Sequence, residues 1–158
     1  MTVVRKPIHH VLLEMAEKMA HERSVCPGGY TGCALVTQDG RVLAMGYNGP
    51  PHGWSDALTE CKRDALDLHG GVGYEVCPCV HAEANALAHA ARHGVATEGA
   101  IALCTRKPCC ACAKSLLQAG IRSVAFYDAG KNIVEQSIVD VLSSRIAEAV
   151  EILGEDES

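Results

Sequence analysis

The sequence predicts an α/β layered domain with a partly parallel sheet, and three observations carry that expectation. Two short apolar runs flank an Asp-Gly turn, strand-like and helix-like segments alternate after them, and two helical stretches each stop at a glycine. From Ile8 to about Arg23, the residues Ile8, Val11, Leu12, Met15 and Met19 recur at helical spacing behind Pro7, a suitable entry. Cys26–Pro27–Gly28–Gly29 breaks that helix. Cys33–Thr37 and Arg41–Met45, on either side of Gln38–Asp39–Gly40, read as a β-hairpin. Gly46 to Gly73 carries six glycines, two prolines and the only Trp, and reads as loop with a helix between Trp54 and about Leu68. Val80 to Arg92 is Ala-rich and ends before Gly94, a helix with a glycine cap. Ala100–Cys104 is a buried strand, Cys109 to Ala119 a helix closed by Gly120, and Ile121–Tyr127 a strand. Ile133 to about Ser144 reads as helix, Ala149 to Leu153 as a last strand, and residues 154–158 as a frayed tail.

The chain of 158 residues has the length of one domain, taken as 1–158, and can bury a single core. Its 48% hydrophobic and 21% charged content is that of a globular protein. A net charge of −5, a pI near 5.9 and 4% aromatic content speak against a polynucleotide groove, which needs a basic face. A small anionic substrate needs only one or two cations. Nine cysteines would suit a disulfide framework, but the number is odd and Val3–His10 contains no apolar run suited to a signal peptide. No run approaches the roughly 20 apolar residues of a membrane span. The expectation is a cytoplasmic protein with reduced cysteines, at least partly metal-binding, and no membrane partner.

Two helix starts hold the chemistry. One reads His81–Ala82–Glu83 and the other Pro108–Cys109–Cys110–Ala111–Cys112. Catalytic zinc takes three protein ligands, preferring imidazole and thiolate, and leaves a fourth position for water. Cysteines three apart in a first helical turn can share one metal, and the helix N-terminus favours their thiolates. His81 supplies the third ligand. Glu83, two residues on, is placed to reach the water and carry its proton to a leaving nitrogen. H-x-E followed by P-C-x-x-C is the signature of zinc nucleobase deaminases.

With these motifs, the sequence resembles the deoxycytidylate (dCMP) deaminases of the cytidine deaminase superfamily. Gly46–Tyr47–Asn48–Gly49–Pro50 resembles the family's GYNG segment, and Cys79 to Ala86 resembles its C-V-H-A-E-x-N-A stretch. Thr105–Arg106–Lys107–Pro108–Cys109 and Ala113–Lys114–Ser115–Leu116 resemble T-x-x-P-C and the A-K segment that follows. The likeness runs from about Ser24 to Tyr127. It implies a three-layer α/β/α cytidine-deaminase-like fold with a five-stranded mixed sheet, and hydrolytic deamination of dCMP to dUMP. It also implies homo-oligomers, with hexamers favoured, and regulation by dCTP and dTTP with Mg2+ accompanying the regulatory nucleotide. By position, Asn48 contacts the sugar, Asn85 lies beside the substrate and Arg92 meets the phosphate. The family's substrate-side tyrosine is not matched clearly, and Tyr127 stands nearest to it. Some members hold a second, structural zinc, for which Cys26, Cys61, Cys77 and Cys79 are the candidates, with His69 as a substitute.

Other readings stay open at this stage. The same chemistry serves cytidine, a cytosine-containing antibiotic, guanine or a riboflavin precursor, and a non-catalytic zinc module would use the same ligands. Intact Glu83 speaks against the last, since a structural site has no use for a proton carrier. Cys33 and Cys104 read as small core residues, and Cys110 as packing.

Overall fold

A computed structural model describes residues 4–54, 59–68 and 73–155. Helix α1 (Ile8–Arg23) precedes strands β1 (Gly32–Val36) and β2 (Val42–Tyr47). A single helical turn α2 (Lys62–Ala65) and a 3-10 turn (Tyr74–Val76) lead into α3 (Ala82–Arg92). Then come β3 (Ile101–Cys104), α4 (Cys110–Gln118), β4 (Ser123–Tyr127), β5 (Ile133–Ser137) and α5 (Ile138–Glu155). The five strands form one mixed sheet in the order β2-β1-β3-β4-β5, in which only β3 and β4 are parallel. That pair is joined through α4, the crossover a parallel connection requires.

Period-2 alternation sorts the side chains into two cores. Ala34, Val36, Ile101, Leu103 and Ala125 meet Leu12, Leu13 and Ala16 of α1 on one face. Cys33, Leu35, Ala102, Cys104, Val124 and Phe126 meet α3, α4 and α5 on the other. Every residue of β1 is buried, as expected of a central strand covered on both sides. The α/β/α layering and the five-stranded mixed sheet agree with expectation. Cys33 and Cys104 lie opposite each other in the register and are fully buried, their sulfurs 3.7 Å apart.

Close backbone approaches seat two helices. A Cβ on Gly46 would stand 2.3 Å from the Ala82 carbonyl oxygen and 2.4 Å from the Ala86 nitrogen, so β2 can press on α3 only through glycine. Gly32 does the same for β1 on α1, where a Cβ would stand 2.2 Å from the Ala16 carbonyl oxygen.

The C-terminal reading needs correction. Ile133–Ser137 is strand β5, antiparallel to β4, and not the start of a helix. The helix begins at Ile138 because Ser137 caps it: Asp140 N–H donates to Ser137 Oγ at 3.1 Å, and Ser137 Oγ donates to the Asp140 carboxylate at 2.8 Å. Ala149–Leu153, expected as a strand, continues α5, whose buried Ile138 and Val141 set a helical face. Gly154 and Glu155 belong to the same helix, and the rest of the expected frayed tail lies outside the described residues. Of the helix expected between Trp54 and Leu68, the described residues contain only the turn α2; residues 55–58 lie outside them. The helix placed at Val80–Arg92 starts at Ala82, with His81 as its N-cap.

Candidate metal centre and active site

His81 and Cys109 hold equivalent places, each the extended N-cap residue of its helix, α3 and α4. The segment before His81 is fixed by a two-way bridge, Gly49 N–H to the Val80 carbonyl at 3.2 Å and Val80 N–H to the Gly49 carbonyl at 2.7 Å. The link before Cys109 is fixed at Thr105, whose amide donates to the Gly32 carbonyl at 3.0 Å and whose hydroxyl accepts the Gly32 amide at 2.9 Å. The tip of α3 is therefore tied to the chain just past the edge strand β2, and the tip of α4 to the ends of the central strands β1 and β3.

His81 Nδ1 lies 3.5 Å from Cys109 Sγ and 3.5 Å from Cys112 Sγ. Tetrahedral bonds of about 2.3 Å to sulfur and 2.0–2.1 Å to nitrogen put those atoms about 3.6 Å apart, so the three donors fit one zinc ion. Among the described residues this is the group of three whose ligand atoms all lie within 4.8 Å of one another. The thiols behave as a pair. Cys112 donating to Cys109 pulls Cys109 down to about 4, helped by His81 and opposed by burial. Cys112 is pushed up by Cys109, by burial and by Glu83. One negative charge between two thiols is what a site reaches without a cation, and a divalent ion offsets the repulsion of the second.

Glu83 stands in the first turn of α3 and is only 4% exposed. Burial pushes its carboxyl above the usual range, opposed by its own backbone amide and by His81. The Cys109 thiolate lifts the His81 imidazole, with burial opposing. Tyr74 packs edge-on against the His81 ring, centroids 4.6 Å apart, and Arg63 lies 4.2 Å over the Tyr74 ring. No pattern in the glycine-rich segment had singled out Tyr74 or Arg63.

These residues line one cavity with His81, Glu83 and Cys109, together with four cations, Arg63, Arg106, Lys107 and Arg145. Lys107 and Arg145 share Glu148 at 3.0 and 2.7 Å. Arg106 is exposed and has no carboxylate partner among the described residues.

The expected substrate residues divide. Asn48 lines the cavity and is buried, but most of its amide is already used. Its Oδ1 accepts from Thr31 N–H at 2.8 Å and lies 2.7 Å from Ser24 Oγ, while Nδ2 donates to the Gly29 carbonyl at 2.7 Å. One amide N–H is left for a ligand. Asn85 lies outside the lining and donates to the Tyr47 carbonyl at 2.7 Å, tying α3 to β2. Arg92 is the exposed last residue of α3, about 15 Å along the helix from its start, and is not in the lining. Tyr127 packs with the α1-side core, on the opposite face of the sheet, with Lys131 5.0 Å over its ring.

Cys26, Cys61, Cys77 and Cys79 all line the same cavity without closing to the spacing of the first three ligands. Burial and the neighbouring Cys26 and Cys77 thiols push Cys79 up. A Cβ on Gly28 would stand 3.1 Å from Cys61 Sγ and 3.9 Å from Cys26 Sγ, so this glycine leaves space beside both. His69 lies outside the described residues.

An imidazole and two thiols converging at paired helix tips, backed by a buried carboxylate, define the zinc deaminase class of site on a three-layer α/β/α fold. Residues 6–128 match the model of the cytidine and deoxycytidylate deaminase zinc-binding region, and the chain belongs to that family. It is 38% identical over 116 residues to a deoxycytidylate deaminase of Schizosaccharomyces pombe, covering 73% of this chain and 35% of that one. It is 38% identical over 112 residues to the deoxycytidylate deaminase of Mycobacterium phage D29, covering 68% of this chain and 84% of the phage protein. The match thus spans about a third of the yeast relative. The crystal structure of dCMP deaminase from cyanophage S-TIM5 in complex with dCMP and dUMP superposes with a TM-score of 0.64 at 28% identity, over 90% of this chain and 95% of that one. No helix among the described residues is long and apolar enough to cross a membrane.

Proposed function

We propose that this chain is a zinc-dependent hydrolase converting dCMP and water to dUMP and ammonia. The observation that carries the reading is the His81–Cys109–Cys112 cluster with buried Glu83 beside it. His81 as neutral imidazole and Cys109 and Cys112 as thiolates hold the ion. When bound, zinc supplies Lewis acidity that makes a hydroxide nucleophile available near neutral pH. Glu83 takes a proton at its carboxylate from the attacking water and returns it to the departing amino nitrogen. A carboxyl raised by burial suits both halves of that transfer, because it accepts and releases protons closer to neutrality. The remaining N–H of Asn48 is available to orient the substrate.

The cations of the lining support a monophosphate over a free base or nucleoside. Of these, Arg106 is the best placed to take a phosphate, since Lys107 and Arg145 already share Glu148 and Arg63 lies over the Tyr74 ring. This moves the phosphate role from Arg92, which the cavity does not include. A substrate panel tests the reading. Ammonia release is expected from dCMP and much less from deoxycytidine, cytosine or guanine, and release from the nucleoside but not from dCMP overturns it. Arg106→Ala is expected to raise KM for dCMP by about 10- to 100-fold with kcat little changed, the loss of one charge-assisted contact. An unchanged KM there with a raised KM in Arg92→Ala would return the role to Arg92.

Cys26, Cys61, Cys77 and Cys79 are proposed to hold a second, structural zinc. Four thiols lining one cavity, with a glycine beside two of them, suit a closed tetrahedral site once the intervening loops bring them together. Metal analysis is expected to find two zinc equivalents per chain, falling to one in Cys61→Ser. A single equivalent in fully loaded protein, unchanged by that substitution, would rule it out.

A further inference from the structure

The family match ends at residue 128, yet the wall of the cavity includes a side chain from α5, seventeen residues beyond it. Arg145 Nε donates to the Pro108 carbonyl at 2.8 Å, and its Nη2 donates to the Lys107 carbonyl at 2.8 Å. Nη1 donates to Glu148 Oε2 at 2.7 Å, while Lys107 Nζ donates to Glu148 Oε1 at 3.0 Å. The guanidinium thus grips both peptide carbonyls that directly precede Cys109, and Glu148 holds the guanidinium in place.

We propose that Arg145 is a positioning residue of the zinc centre, fixing where Cys109 presents its thiolate by clamping the Lys107 and Pro108 carbonyls. The inference rests on the zinc reading of the site and not on the identity of the substrate. The link from β3 to α4 is anchored at its start by Thr105 on Gly32. Its far end, one residue from a metal ligand, is anchored by Arg145. Packing of α5 does not require that anchor, because Ile138 and Val141 already share a core with Ala113 and Leu116 of α4. The clamp also needs the planar fork of an arginine: two successive carbonyls and a carboxylate lie around one group, which an ammonium cannot match. Groups that orient a ligand from behind set metal affinity, and losing one costs about 10- to 100-fold.

The test uses the full chain as wild type, Arg145→Lys, Arg145→Gln and Val150→Ser, the last an exposed position on the same helix. Zinc affinity is measured by competition with a chromophoric chelator, ligand geometry by the visible absorption of the cobalt-substituted protein, and folding by thermal unfolding with excess chelator. Arg145→Gln is expected to weaken zinc binding about 10- to 100-fold and shift the cobalt bands. Arg145→Lys is expected to recover little of either, and Val150→Ser to match wild type. Wild-type affinity and cobalt bands in both Arg145 variants overturn the proposal. So does a loss of affinity that merely follows a matching fall in the Tm of the metal-free protein. Zinc held tightly and weakened as expected, in a protein inert toward dCMP, would sink the substrate reading and leave this one standing. A wild type that binds no zinc overturns both.

Discussion

Glu83→Gln is expected to lower turnover of dCMP by a factor of about 100 to 10,000 while leaving zinc bound. The amide keeps the shape and burial of the carboxyl but can neither accept the proton of water nor pass it on. Retained zinc matters as much as lost turnover, because the ligand set His81, Cys109 and Cys112 does not include residue 83. A stability effect accompanies it. Burial raises the Glu83 carboxyl in the folded chain above its unfolded value. Between the two, the folded state keeps a proton that the unfolded chain has lost, so stability falls as pH rises through that window and the cost is fully present above it. Below the unfolded value both states are protonated and the cost vanishes. The zinc-free Gln variant, with no charge to desolvate, should therefore unfold at the same or a higher temperature than zinc-free wild type near neutral pH, the difference shrinking in acid. Turnover within tenfold of wild type, or zinc lost together with activity, would remove Glu83 from the proton path.

The parts of this site that could be read in advance are those whose chemistry restricts both residue type and spacing. Zinc accepts few donors, and a Cys-x-x-Cys at a helix start or a His two before a Glu has few other uses in combination. The misreadings have physical causes. Ile133 and Val134 continue the spacing of Ile138 and Val141, so periodicity alone extends the helix backward, and only pairing with β4 makes the segment a strand. The Ser137-x-x-Asp140 cap was the local signal that could have placed the boundary. Tyr127 was also decidable: with Phe126 in the core on the side of α3, α4 and α5, alternation sends its neighbour to the α1 side. Arg63, Tyr74 and Arg145 were not. They reach the cavity from two separate turns of the loop region and from a distant helix, and no spacing along the chain announces such a meeting.

Gly46→Ala is expected to cost about 3 kcal/mol or more, at the upper end of overpacking because the obstructing atoms are backbone. For a chain of this size that corresponds to a fall in Tm of about 6–12 °C. Within the G-Y-N-G segment, then, the first glycine has a packing role: its missing Cβ lets β2 lie against the carbonyl of Ala82 and the amide of Ala86. Those are first- and second-turn atoms of the helix that His81 caps, so pushing α3 outward also moves the imidazole away from Cys109 and Cys112. Gly32→Ala provides the comparison, since its Cβ meets α1 on the far side of the sheet at a similar distance. Both variants should lose stability, and Gly46→Ala should also lose zinc affinity and turnover beyond what its unfolding explains, measured well below its Tm. A zinc affinity in Gly46→Ala no lower than its unfolding explains would mean that the contact between β2 and α3 supports the fold alone and that His81 is held by the Gly49–Val80 bridge without it.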